Sequence, residues 1–330
     1  MSIDYPPKLK LAQLPTPIQK LERLSKDLGT NIWVKRDDLT GLLASGNKVR
    51  KLEFSFAKAK QKGADTLITC GGVQSNHCRA TAVLGAQCGF DVHLALRGEA
   101  PASIDGNLFI DHLAGAKISH FSPRYYNLHM DFIMQELCDE YREKNKTPYF
   151  IPTGASDGTG VWGYVRAVEE IANQQIEMNV EFDQIVSATG SGGTQAGLTA
   201  GVALQNMSAE VWGMAVCDDV DYFKNKVKAD LLDWQREYRM DIDIEALPIH
   251  VNDQYIGQGY ARTQPEVFRQ IEETIRSEGI GLDPVYSGKA FYGMLNEIRE
   301  GRFLGENILF IHTGGFFGLF GQRQQYFAQR

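Results

Sequence analysis

Short apolar runs rich in β-branched residues alternate along this chain with longer stretches whose apolar positions recur three and four apart. NIWVKRD (31–37), TLITC (66–70), DVHLALR (91–97), KISHF (117–121) and PYFIP (148–152) read as strands. So do DQIVSAT (183–189), EVWGMAV (210–216), PIHV (248–251) and NILFIHT (307–313). Val49, Leu52, Phe56 and Ala59 give a helical face through 48–62. Further helices are predicted up to about Gln87, over most of 127–144, over 159–176, up to about Leu204, and near 264–277 and 289–300. Alternation of this kind means βαβ units and a mostly parallel α/β sheet covered on both faces. No fixed-period repeat and no low-complexity linker marks a domain boundary.

Ligands of such sheets sit beyond the carboxyl ends of the strands, so the segments that follow the strands are a site search. They read Arg36-Asp37-Asp38, Gly71 to Asn76, Thr153 to Gly158, Gly190 to Thr194, Tyr286 to Lys289 and His312 to Gly315. Glycine and hydroxyl residues fill nearly all of them. That composition suits a cleft where backbone N–H groups approach an anion closely.

Overall composition narrows the function classes. At 330 residues the chain exceeds what one core comfortably serves, so two domains are the default. A net charge of −7 argues against a nucleic-acid or anionic-membrane surface. No stretch approaches the length of a membrane span, and the first ten residues lack the apolar core of a signal peptide. A cytoplasmic location is therefore expected. Five cysteines without a C-x-x-C pair fit reduced thiols, and the seven histidines show no ligand spacing, so no metal is expected. The 33 glycines exceed the average share of about 7%, and they cluster.

Three segments carry candidate chemistry. G-S-G-G-T at 190–194 lies between a strand and a helix, where successive N–H groups can cradle a phosphate. It lacks the third glycine of a dinucleotide fingerprint and the ending of a P-loop, so a plain tight turn competes with that reading. G-A-S-D-G at 154–158 matches a hydrolase nucleophile elbow, with Ser156 as nucleophile and His312 as the later histidine. No oxyanion segment precedes it. Finally, Lys48 follows Gly46 and Asn47 at the start of an amphipathic helix. The ordinary reading is a solvated lysine. The functional one is an amine facing the cleft near another cation, its pKa lowered by partial burial and that charge, able to form a Schiff base, with Lys51 one turn on offering a point charge to a phosphate.

Taken together, GNKVRKLEF, GGVQSNHCRA, SATGSGGTQAGL, LDPVYSGKA and IHTGGFFGLF, in this order and spacing, resemble the 1-aminocyclopropane-1-carboxylate deaminase/D-cysteine desulfhydrase group of pyridoxal-phosphate enzymes. The resemblance runs from about Leu14 to about Phe320. It implies fold type II, an α/β architecture of two domains, each with a mostly parallel twisted sheet flanked by helices. Residues 1–52 plus 160–330 would form the large cofactor domain and 53–159 the small one, in a homodimer.

The same resemblance assigns roles. Lys48 holds pyridoxal 5'-phosphate covalently and moves the substrate proton. Asn47 accompanies it, Lys51 and Gly190, Ser191, Gly192, Gly193 and Thr194 hold the phosphate, and Asn76 bonds the ring oxygen. Ser75 and His77 face the substrate, and Tyr260 and Tyr286 stand over it. Within the group, Ser287, Thr313 and His77 resemble D-cysteine desulfhydrases, where deaminases carry glutamate, leucine and glutamine. By the resemblance Ser287 meets the pyridine nitrogen, where deaminases place the glutamate, and a neutral hydroxyl there makes a weaker electron sink, sufficient when a good leaving group departs from the β-carbon. The expected reaction is thus β-elimination on D-cysteine to pyruvate, hydrogen sulfide and ammonia. An L-cysteate sulfo-lyase, with Arg262 or His77 meeting the sulfonate, is one alternative; a 1-aminocyclopropane-1-carboxylate deaminase and a non-catalytic cofactor store are others. Ser45, the stretch Ala261-Arg262-Thr263 and the pair Phe316-Phe317 depart from the group's pattern. The phenylalanines read as core packing rather than as walls of the pocket, and Cys78 as a buried thiol.

Overall fold

The computed structural model describes residues 3–329. Its strands in chain order are Ile18–Lys20 (β1), Asn31–Lys35 (β2), Thr66–Gly72 (β3), Asp91–Arg97 (β4) and Lys117–Phe121 (β5). They continue with Pro148–Ile151 (β6), Gln184–Thr189 (β7), Glu210–Ala215 (β8), His250–Asn252 (β9) and Asn307–Ile311 (β10). One sheet has the order β1-β2-β10-β7-β8-β9 and the other β5-β4-β3-β6. Every pairing is parallel except that of β1 with β2, at the edge of the larger sheet. All strands of the smaller sheet fall in sequence between β2 and β7 of the larger. This is the two-sheet α/β architecture that the resemblance implies.

Helices cover both faces of each sheet, so central strands are buried on both sides and read as unbroken apolar runs. On one face of the larger sheet, Val186 and Phe310 pack with Phe291 and Met294; on the other, Ile185 and Leu309 pack with Tyr164 and Leu198. The helix Asn47–Gln61 is shared between two cores. Its Val49, Leu52 and Phe56 pack with Leu67 and Leu94 of the smaller sheet, while Phe54 joins Trp162 and Trp234. A helix so placed carries its first turn to the junction of the two sheets. Gly163 lets the helix Gly158–Met178 pass close against it, since a Cβ there would stand 2.7 Å from the Lys51 nitrogen of the main chain.

Most predicted elements are present with ends moved by a few residues. PIHV is shifted to His250–Asn252, and the helix over 127–144 begins earlier, at Pro123, with Ser122 as its cap. Several helices escaped the sequence pattern: Glu22–Leu28, Gly106–Leu113, Phe316–Gly321, Arg323–Ala328 and the long Val220–Tyr238. The last buries only Phe223, Val227, Leu231 and Trp234 among apolar residues, a narrow stripe in a charged stretch. No helix among the described residues is long and apolar enough to cross a membrane.

Candidate active site

A cleft of about 460 Å³ opens beyond the carboxyl ends of β3, β7 and β10, where both sheets meet. Lys48 enters it from the first turn of Asn47–Gln61. Gly46 has φ +98°, and a Cβ on it would lie 2.5 Å from the Thr313 carbonyl oxygen. Only glycine permits that approach, and the Asn47 N–H donates to the same oxygen at 3.1 Å. The loop after β10 and the helix start are thereby locked together. Lys48 Nζ donates to Asn47 Oδ1 at 3.2 Å, and Asn47 Nδ2 donates to Thr194 Oγ1 at 2.9 Å. Burial pushes the Lys48 amine down to about 8, against the opposing pull of Asp283.

One turn further on, Lys51 lies fully buried behind the 190–194 loop, and its Nζ has no hydrogen-bond partner. Burial, then the Lys48 charge, hold its pKa well below the usual lysine value. The Gly193 N–H donates to Ser156 Oγ at 2.9 Å, and a Cβ on Gly193 would stand 2.6 Å from that oxygen and 3.1 Å from Lys51 Nζ. An unpartnered buried amine beside a glycine loop at a helix N-terminus fits a phosphate well: the dianion would favour the charged form of Lys51 and take the free N–H groups. Gly190, Ser191, Gly192 and Thr194 line the cleft on this side.

The hydrolase elbow is overturned. Ser156 Oγ donates to Ser191 Oγ at 2.8 Å and accepts from Gly193, forming the wall of the glycine loop. His312 lends it no base, since Nε2 meets the Gly281 carbonyl at 2.9 Å and Nδ1 accepts from the Gly314 N–H at 3.2 Å.

On the smaller sheet's side, Ser75 caps the helix Asn76–Cys88, accepting from the Cys78 N–H. Asn76 Oδ1 accepts from Asn107 Nδ2 at 2.8 Å, which leaves the Asn76 amide NH₂ as a donor. His77 is buried, and burial plus the charges of Lys48 and Lys51 keep it neutral. Its tautomer follows from one proton: Thr69 Oγ1 donates to the Ile151 carbonyl at 2.7 Å, so His77 Nε2 donates to Thr69 at 2.8 Å. Nδ1 is left as an acceptor with no partner.

Across the cleft, the hydroxyls of Tyr260 and Tyr286 are hydrogen-bonded at 2.6 Å. Ser287 is placed differently from the expectation that it meets the pyridine nitrogen. Its hydroxyl donates to Asp283 Oδ1 at 2.7 Å and accepts from the Asp283 N–H, and it does not line the cleft. Thr313 is the hydroxyl residue that faces the cleft from that side. Two further expectations are corrected. Arg262 is exposed and away from the cleft, whereas Arg97, at the end of β4, lines it with its guanidinium 5.4 Å from the Tyr260 ring. Phe316 is exposed rather than packed in a core, while Phe317 packs under Arg79; as expected, neither lines the cleft.

Sequence reasoning missed Arg97, Asp283 and Asn107. Arg97 was legible as the end of a strand whose trailing segment belonged in the site search. Asp283 sat within a motif already singled out, four residues before Ser287, where it accepts the N–H groups of Val285, Tyr286 and Ser287. Asn107 gave no sequence signal.

Comparison with known proteins gives the family. The family model of pyridoxal-phosphate dependent enzymes matches residues 9–314, and the chain belongs to that family. It is therefore a pyridoxal-phosphate-dependent enzyme. A bifunctional D-cysteine desulfhydrase/1-aminocyclopropane-1-carboxylate deaminase of Arabidopsis thaliana is 41% identical over 325 residues, 96% of this chain and 80% of that protein. A D-cysteine desulfhydrase of Serratia proteamaculans is 36% identical over 327 residues, 97% of each chain. The crystal structure of an ACC deaminase homologue superposes with a TM-score of 0.91 at 38% identity, covering 98% of this chain and 96% of that one.

Proposed function

We propose that the enzyme is a carbon–sulfur lyase that eliminates the β-substituent of D-cysteine, giving hydrogen sulfide, pyruvate and ammonia. The observation that carries this reading is the hydrogen-bonded pair Tyr260–Tyr286 facing the same cleft as Lys48. When bound, pyridoxal phosphate supplies an electron sink for a carbanion at the substrate α-carbon. Lys51 and the 190–194 loop would hold its phosphate, the Asn76 amide would donate to its ring oxygen, and Thr313 would offer its ring a neutral hydroxyl rather than a carboxylate. Ser75 and the start of the helix Asn76–Cys88 receive the substrate carboxylate. Lys48 Nζ, its pKa lowered towards neutrality, takes the α-proton. The Cβ–S bond breaks, and the tyrosine pair gives the departing sulfur a proton. Water then converts the released aminoacrylate to pyruvate and ammonia.

Arg97 favours a second reading, an anionic β-substituent such as the sulfonate of L-cysteate. Incubating the holoenzyme separately with D-cysteine, L-cysteate and 1-aminocyclopropane-1-carboxylate discriminates the readings. Sulfide from D-cysteine supports the proposal. Sulfite or 2-oxobutanoate in its place would assign the scaffold to one of the other two substrates.

We propose also that residues 53–159 form a small domain inserted in a large one, 1–52 plus 160–330, in agreement with the sequence span of the smaller sheet. A homodimer is supported by exposed Leu42, Leu43, Phe109, Leu113, Phe316 and Phe320, carried by neighbouring segments. Light scattering of the purified enzyme tests it. The unpaired cysteines suit the reducing cytoplasm.

A further inference from the structure

Tyr260 sits on a loop with little support of its own. Between Ile256 and Thr263 no strand or helix forms, and Gly257, Gly259 and Ala261 all adopt positive φ, at +67°, +106° and +57°. Few main-chain bonds fix it: Ile256 N–H to the Asp253 carbonyl at 3.5 Å and Arg262 N–H to the Gly259 carbonyl at 3.3 Å. A catalytic phenol on so irregular a segment needs a fastening from outside.

Lys289 supplies it. This lysine lies in the first turn of the helix Ser287–Arg299, is 1% exposed, and makes no hydrogen bond to a carboxylate among the described residues. Its Nζ donates instead to three backbone carbonyls, those of Gly259 at 2.7 Å, Ile256 at 2.8 Å and Val216 at 3.5 Å. Two of these belong to the Tyr260 loop, one of them to the residue immediately before it; the third follows β8. An ammonium within a set of converging carbonyl oxygens, uncompensated by any anion in contact, is the coordination chemistry of a bound monovalent cation.

We infer that Lys289 is a positioning residue for Tyr260, its ammonium serving as a built-in monovalent cation that fastens the 256–260 loop over the cleft. The inference rests on the proposed role of Tyr260 in elimination. The same carbonyls, with the lysine side chain removed, form a site for potassium or ammonium. Burial lowers the Lys289 pKa to about 8, the cost of placing a cation there without a carboxylate in contact.

The test compares Lys289→Met, which keeps the length but not the charge, with Lys289→Ala, which leaves room for an ion. In Lys289→Met, amide hydrogen exchange over 256–260 rises, the visible absorbance of bound cofactor persists, and kcat on D-cysteine falls about 100-fold, as expected of a displaced catalytic group. In Lys289→Ala, potassium or ammonium chloride restores both loop protection and kcat saturably, and tetramethylammonium chloride at equal ionic strength does not. Unchanged exchange and kcat in Lys289→Met would overturn the inference, as would equal rescue by tetramethylammonium. Loop exchange that responds to charge and cation as stated, in a wild-type enzyme that releases no sulfide from D-cysteine, upholds Lys289 and overturns the substrate reading instead.

Discussion

The hydroxyl oxygens of Tyr260 and Tyr286 lie 2.6 Å apart, and burial raises the pKa of both phenols. At neutral pH both therefore keep their protons. One proton occupies the bond between the rings, and the other stays free to be given to a leaving group. Because the second ring reloads the first, the two act as a unit. Replacing either by Phe should lower kcat for sulfide release by about 100-fold, in the range of a lost general acid. The double variant should lose little more than the worse single one. Sulfide assays on the three variants, with cofactor content checked by absorbance, decide this. A single variant with wild-type kcat would remove the pair from the chemistry.

Lys48 gives a pH dependence whose sign can be fixed. The unfolded amine keeps its proton up to its usual value of 10.5, while the folded one loses it near about 8. Between these limits the unfolded chain binds more protons, so stability rises with pH, by up to about 3 kcal/mol. Below pH 8 the folded protein bears the cost of a buried ammonium. Lys48→Met should remove that slope and make the cofactor-stripped protein more stable than wild type at pH 7. Urea unfolding of both proteins at pH 7 and pH 10 measures it. Parallel curves at the two pH values would show that the amine is already comfortable when charged.

How much of this was legible without coordinates differs by feature. The central strands were, because burial on both faces writes an unbroken apolar run such as that of β7. The helix Val220–Tyr238 was not, since its core contact is a stripe of a few residues within a charged stretch. For the site, glycine clusters pointed at the cleft, and Gly46 and Gly193 do stand where a Cβ would collide. The choice between Ser287 and Thr313 could not be read off, because it depends on which hydroxyl Asp283 engages. That is a relation between one side chain and its own helix start. Lys289 looked like any helix lysine; only folding shows that it meets carbonyls from two separate loops.

Lys51 and Gly193 should separate cofactor binding from folding. Lys51→Met deletes a buried amine without a hydrogen-bond partner, so the cofactor-free protein should be as stable as wild type or more so. Its affinity for pyridoxal phosphate should fall by about 10- to 100-fold, the loss of a charged hydrogen bond worth about 1.5–3 kcal/mol. Gly193→Ala drives a methyl group into Ser156 and towards Lys51 Nζ, and should weaken cofactor binding as well. Absorbance titration with the cofactor reads both variants. Wild-type affinity in Lys51→Met would move the phosphate elsewhere.

The most severe stability loss should come from a residue that touches neither cofactor nor substrate. Arg50, two positions after Lys48, is buried with Asp37, which it holds through two bonds of 2.8 Å each. It reaches Glu170 as well, at 3.0 and 3.1 Å, and Tyr164 and Thr16 donate to the same Asp37 carboxylate. Burial alone would push the Asp37 carboxyl up, yet the Arg50 guanidinium outweighs it and holds that carboxyl below its usual range. Removing the guanidinium leaves a buried anion with hydroxyl donors but without its bidentate cation. Arg50→Met should therefore cost about 3–5 kcal/mol at pH 7. The sign of its pH dependence also reverses locally. In wild type the network's contribution is lost as pH falls below the ordinary carboxylate range and through the lower folded value. In the variant Asp37 takes up a proton more readily than in the unfolded chain, so the deficit should shrink between pH 7 and pH 5. Chemical denaturation at those two pH values measures both effects. A cost below about 1 kcal/mol, the level of an exposed ion pair, would mean that water reaches the network and replaces the guanidinium.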